Sequence, residues 1–307
     1  MKHLAAVFFA FTASAMASAQ EVTFNSIQHG GSTIHGGDWI GRDAWASDRI
    51  TNVTSPSYPG TSSVYRFVVQ PGDKVGGWTG ERAEFSGIRT AKGVVWENEG
   101  SGTQYYAFSV YIPAGWKAPE VDPSAQLAWG TFLQLHGPCG FLNSPPVSMD
   151  LIDHYTISIR GGDADALGNW HGTIYELKDG GAIRCDQWED FVLMITFSRD
   201  DKGAVRLWRR TKGVLTNVFE RTGVPTLVFK PSVEAKMPNA RQRMLAGVHY
   251  WKQGFYRSKS PHVTTTLYQT GLVRASTFDA AAIAAFGHRD RLGGQEGRSE
   301  KSAQSAP

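Results

Sequence analysis

Apolar positions along the chain recur mainly with a period of two, in short runs cut by Gly, Pro, Asp and Asn, which is the pattern of strands with one buried face. The runs are Val64 to Val69, Gly80 to Phe85, Val94 to Glu97 and Gln104 to Ile112, the last stopped by Pro113. Trp129 to His136 follows, ended by Gly137 and Pro138. Val147 to Leu151 and Tyr155 to Arg160 read as a hairpin around 152–154. Trp188 to Ser198 and Ala204 to Arg210 flank a turn at Arg199 to Gly203, and Leu215 to Glu220, Thr226 to Phe229, Tyr250 to Arg257 and Thr264 to Val273 continue the series. Only Thr277 to Phe286 reads as a helix, with Ser276 or Thr277 as its N-cap. Many short strands with almost no helix predict one all-β domain, a concanavalin-like β-jelly roll of two antiparallel sheets with a short C-terminal helix.

The two ends depart from this pattern. Met1 to Ala19 has a basic start, an apolar run from Leu4 to Phe11 and small residues up to Ala19, the order of a secretory signal cleaved after Ala19. The domain is therefore expected over 20–287, in a protein that is exported to a periplasm or the medium. Residues 288–307 are polar and charged and read as a disordered tail. No later segment is long and apolar enough to span a bilayer. A net charge of +3 without a dense Lys/Arg run gives no case for nucleic acid, although basic residues focused in one place would still attract a polyanion. In an oxidising compartment Cys139 and Cys185 are a candidate disulfide. The His-Gly-Gly triplets at His29 and His35 read as loops, and Asp163 with Asp165 as a solvated turn that lacks the remaining ligands of a calcium loop. A monomer is expected.

The candidate chemistry lies on three of the predicted strands. In Tyr250 to Arg257, alternation puts Tyr250, Lys252, Gly254 and Tyr256 on one face and Trp251, Gln253, Phe255 and Arg257 on the other. Arg82 shares a face with Glu84, and Gln134 with His136. A cation, an amide, an imidazole and a phenol are the parts needed for elimination across a uronic acid. Hydrogen bonds from Arg82 and Gln134 would neutralise the carboxylate and stabilise the enolate-like intermediate. His136 and Tyr256 would remove the C5 proton and protonate O4, with either His136 or Tyr256 as the base. Lys252 is expected to favour the Tyr256 phenolate, with Arg82 assisting if it lies close. No metal or organic cofactor is required. Blander readings exist for each group: an Arg82–Glu84 ion pair, a satisfied core His136, a surface Tyr256.

In this order, R-x-E, Q-x-H and Y-x-K-x-G-x-Y resemble the signature strands of β-jelly-roll polysaccharide lyases, including alginate lyases. Phe108 to Pro113, Gln134 to Gly137 with Ser144 to Pro146, Trp188 to Val192 and Gly254 to Arg257 are closer to the heparin lyase I and glucuronan lyase group. The resemblance covers about Gly80 to Val273. It implies an acidic polysaccharide as substrate, endolytic cleavage by β-elimination, and an active site of Arg82, Gln134, His136, Lys252 and Tyr256, with Glu84 and Tyr250 as further substrate-binding residues. Some relatives carry structural calcium. Ser86 stands where the alginate-type pattern has a second arginine. The alternatives are a non-catalytic carbohydrate-binding jelly roll, which needs no base, and a glycoside hydrolase, for which no E-x-D-x-E strand is present.

Overall fold

A computed structural model of the chain describes residues 22–27, 38–76, 80–121, 127–137, 145–161, 173–228 and 248–287. Two antiparallel sheets face each other, as the period-two pattern requires. The front sheet runs in the order β11 (Thr173–Glu176), β10 (Tyr155–Ile159), β9 (Val147–Leu151), β8 (Gly130–His136), β15 (Tyr250–Arg257), β5 (Glu81–Thr90) and β2 (Asp38–Ala44). β6 (Gly93–Val95) pairs with the end of β5. The back sheet runs β14 (Val214–Thr222), β13 (Ala204–Thr211), β12 (Trp188–Thr196), β7 (Thr103–Tyr111), β16 (Thr265–Gln269), β4 (Val64–Val69) and β3 (Ile50–Val53). β17 (Val273–Ala275) joins it on β7, and β1 (Val22–Asn25) pairs with β17.

Alternate residues of both sheets meet between the layers. Trp251 of β15 packs on Tyr106 of β7 with ring centroids 4.4 Å apart. Phe108, Phe132, Tyr155 and Phe191 form a continuous aromatic cluster across the gap. Burying each such ring stabilises the sandwich by roughly 1.5–3 kcal/mol, which fixes the register of the strands that carry them. The helix at 278–287 closes the far side of the back sheet, where Ala280, Ala281, Ala285 and Phe286 cluster with Ala107, Val192 and Val273. The Thr277 hydroxyl accepts the Ala280 N–H at 3.3 Å and caps it.

Several expectations need correction. Thr226 to Val228 is not a strand: the backbone N–H groups of Thr226 and Leu227 both turn to the Ser198 carbonyl, at 2.8 and 3.0 Å, and Val228 donates to His249. These apolar residues are buried without a ladder. The run from Thr264 to Val273 divides into β16 and β17, because Gly271 breaks the extended backbone with φ +111°. β1, β2 and β3 lie between Glu21 and Gly80, a stretch rich in Gly, Ser, Thr and Asp with short apolar pieces, in which β4 is the clearest strand of the pattern. Phe229, Cys139, Asp163, Asp165, His29, His35 and both chain ends lie outside the described residues; Cys185 is exposed.

Candidate active site

β15 is the axis of the site. Trp251 and Phe255, each 1% exposed, anchor one face in the core, so Tyr250, Lys252 and Tyr256 project from the outer face of the front sheet. The neighbouring strands complete three rows. His136 stands opposite Tyr250, Gln134 and Ser86 opposite Lys252, and Arg82 and Thr131 opposite Tyr256. Gly254 lies opposite Glu84. All seven residues singled out from the sequence therefore share one face of three adjacent strands. Gly254 does more than leave a gap. It has φ +145°, and a Cβ there would lie 2.3 Å from the Ala83 carbonyl oxygen. The register with β8 shifts between Gln253 and Tyr256 at this point, a β-bulge, while the pairing with β5 and the alternation along β15 run on unbroken, so Tyr256 stays on the outer face.

Tyr256 is held on three sides. The Arg82 guanidinium lies 3.8 Å above its ring centroid, a close cation–π contact. Trp129 meets it edge-on at 4.5 Å. Gly80 backs it, since a Cβ there would approach the Tyr256 ring to 2.4 Å and Trp129 to 2.7 Å. The cation against Tyr256 is thus Arg82. Lys252, expected in that place, instead donates to Asp43 of β2 at 2.7 Å.

Glu84 sits at the centre. Its Oε1 accepts from the Gln134 amide nitrogen, while its Oε2 is buried with no hydrogen-bond partner, 3.7 Å from Arg82 and 3.9 Å from Lys252. Burial raises its pKa, against the opposing pull of Lys252, Arg82 and the Gln134 hydrogen bond. Because Glu84 fixes which end of the Gln134 side chain carries the nitrogen, the second amide proton remains for a ligand.

His136 is oriented by its own turn. Its Nδ1 lies 2.8 Å from the Gly137 carbonyl, which can only accept, so Nδ1 carries the proton and Nε2 keeps a lone pair. Burial, and then the nearby Lys252, lower its pKa to about 4. The ring is neutral at neutral pH. Tyr250 packs beside it at 5.0 Å, and the exposed Trp96 meets Tyr250 nearly perpendicularly at 6.1 Å.

Asp43, Trp129, Gly80 and Trp96 were not identified from the sequence. Asp43 bears no fixed spacing to any motif and reaches the site only because β2 pairs with β5. Among the described residues, no group of three or more His, Cys, Asp or Glu side chains is arranged to hold a metal ion. No described helix is long and apolar enough to cross a membrane.

The sequence pattern of the polysaccharide lyase family matches residues 23–271. The chain belongs to that family, and the protein is a polysaccharide lyase. Among solved structures, an endo-β-1,4-glucuronan lyase from Trichoderma reesei is similar with a TM-score of 0.57 and 13% identity, covering 83% of this chain and 95% of that one. The catalytic domain of a glycoside hydrolase family 131 protein from Coprinopsis cinerea gives a TM-score of 0.47 at 13% identity, covering 84% and 95%. An alginate lyase from Pseudomonas aeruginosa gives 0.44 at 14%, covering 76% and 88%. At these identities the likeness concerns the fold. A search of curated proteins returned no match.

Proposed function

We propose that the protein is exported and cleaves an unsulfated polyuronate by β-elimination. Arg82 and the free amide proton of Gln134 bind the carboxylate of the reacting sugar and stabilise the charge that develops when C5 loses its proton. His136 Nε2 takes that proton, the C4=C5 double bond forms as the C4–O4 bond breaks, and the Tyr256 hydroxyl delivers a proton to O4. Lys252 and Tyr250 hold the chain. The observation that carries this reading is the orientation of His136: its Nδ1 proton is committed to the Gly137 carbonyl, which leaves the Nε2 lone pair to face the substrate, and its lowered pKa of about 4 keeps that nitrogen unprotonated at neutral pH. Export rests on the signal-like pattern of Met1 to Ala19.

The preference for an unsulfated substrate follows from charge balance. Among the described residues the two cations of the site, Arg82 and Lys252, already face two carboxylates, Glu84 and Asp43. The charges balance, and the raised pKa of the buried Glu84 leaves room for one added carboxylate rather than for several sulfates. The test is to incubate purified protein with glucuronan, alginate, hyaluronan and heparin and to follow ultraviolet absorbance of the unsaturated product. Absorbance should rise on glucuronan or alginate. A rise on heparin alone contradicts the charge argument, and new reducing ends without absorbance contradict elimination.

A further inference from the structure

The outer face of the front sheet changes character away from β15. Thr131 of β8 stands opposite Tyr256 on one side and Asp150 of β9 on the other. Asp150 is thus two strand spacings, roughly 10 Å, from the Tyr256 backbone. Its carboxylate is bound by three hydroxyls: Thr131 at 2.6 Å, Ser148 at 3.1 and 3.2 Å to the two oxygens, and Ser158. Among the described residues no cation pairs with it, in contrast to Glu84 and Asp43. Ser148 stands opposite Gln134, so this patch begins directly beside the proposed carboxylate-binding group. At 7% exposed, Asp150 and Thr131 are as open as Arg82 and Lys252 at 4%, while Ser148 and Ser158, at 1% and 0%, lie beneath and hold the Asp150 carboxylate in place.

A carboxylate only accepts hydrogen bonds, so all three hydroxyl protons are committed to Asp150. The patch can offer a ligand only acceptors and one uncompensated negative charge. Sugar hydroxyls, which donate, fit it. A second carboxylate would meet like charge in a recessed site, where screening is weak.

We propose that Asp150, with Thr131, Ser148 and Ser158, forms a sugar subsite next to the reaction centre that selects a ring presenting hydroxyls and rejects one presenting a carboxylate. In a polyuronate whose successive rings alternate in orientation, the neighbouring ring can satisfy this by turning its carboxylate away. A neutral sugar satisfies it in any orientation. The inference rests on the proposed position of the reacting sugar over Arg82 and Tyr256.

The test uses a polyuronate in which about a fifth of the carboxylates have been reduced at random to neutral hexoses. The purified protein digests it, and the products are sequenced by mass spectrometry. Neutral residues should be enriched several-fold at one fixed position beside the cleaved bond, and Asp150→Asn should abolish that enrichment and lower KM on the unreduced polymer. Neutral residues scattered at random around the cleaved bonds made by the wild-type protein would overturn the subsite, a result that stands even if the variant does not fold. An enrichment that persists unchanged in folded Asp150→Asn would overturn the role of Asp150. Absence of any cleavage of the unreduced polymer would count against the proposed reaction itself, a separate outcome.

Discussion

β5 carries two glutamates that face opposite ways, each with an arginine, and the two pairs differ in completeness. Glu81 points inward to Arg257, whose Nη2 lies 2.9 Å away; Arg257 also donates to the Thr265 hydroxyl at 2.6 Å and to the Val263 carbonyl. The Glu81 Oε1 accepts the Gly72 N–H and its Oε2 the Ser260 N–H. Glu84 points outward toward Arg82, at 3.7 Å, too far for a hydrogen bond, with one buried oxygen unpartnered. Both oxygens of the inner carboxylate are hydrogen-bonded, as the cost of an unpaired buried charge demands, although Arg257 Nε, like Glu84 Oε2, is buried without a partner. The outer carboxylate keeps one acceptor oxygen open, fit to take a donor from a ligand. The inner pair is a rivet and the outer pair a socket, built from the same two residue types three positions apart.

The largest effect should come from the group that the outer pair supports. Tyr256→Phe keeps the ring, the Arg82 contact and the Trp129 packing, so the fold should survive while kcat falls by about 10²–10⁴. His136→Ala should lose a similar amount if His136 is the base and much less if Tyr256 does both jobs. Steady-state kinetics of the two variants on one substrate distinguish these cases, and near-normal turnover by folded Tyr256→Phe would remove it from the chemistry.

Breaking each pair in turn sharpens the contrast. Arg257→Met should lower stability by about 3–5 kcal/mol in urea unfolding, because Glu81 is left buried and unpaired. Glu84→Gln should shift the urea midpoint far less, yet reduce kcat/KM at least about tenfold, since Arg82 and Lys252 lose the charge that positions them and the acceptor for Gln134 weakens from a carboxylate to an amide oxygen. Equal stability losses in the two variants would erase the distinction.

Acidification should act on the neutral histidines. His136 titrates at about 4 and the fully buried His249 at about 3, each lowered first by burial, against an unfolded value near 6.5. Between these values the unfolded chain binds more protons than the folded one, so stability is full above pH 6.5 and is lost as pH falls toward 4 and then 3. Thermal melts from pH 7 to 4 should show a falling Tm. The acid limb of kcat/KM should lie near pH 4, and a limb near 6.5 would contradict a buried, neutral His136.

The smallest effect is expected at Asp43. Its contact with Lys252 is partly exposed and competes with the substrate carboxylate, so Asp43→Asn should lower KM by roughly two- to fivefold, under about 1 kcal/mol. A higher KM would instead make Asp43 an anchor that Lys252 needs.

Most of the sandwich was legible because burial on one face writes a period of two into the sequence. β4, β9 and the expected alternation of β15 match the structure residue for residue. The seven polar residues of the three central strands were legible for the same reason: alternation decides which side chains share a face. What stayed hidden depends on pairing. β2 is the last strand of the front sheet's main order, with a weak pattern across Trp39, Gly41 and Asp43, and nothing in it announces that Asp43 will stand opposite Glu84. Thr226 to Val228 was misread because burial alone, without a ladder, produces the same apolar run. Trp129 and Gly80 read only as the first residues of two runs; their part in seating Tyr256 is a matter of contact, which spacing does not encode.

The bulge at Gly254 has a consequence for how this protein can change over time. On β15 three steps lead from Gln253 to Tyr256, while on β8 two steps lead from Leu133 to Thr131. The counting of residues, as much as their identity, decides which of Tyr256 and Arg257 faces out. Losing a single codon here would put the two out of phase, driving the phenol toward the core and the guanidinium into the open. The rivet and the socket would fail together. Substitutions along this strand can be sampled one at a time, but its length is locked.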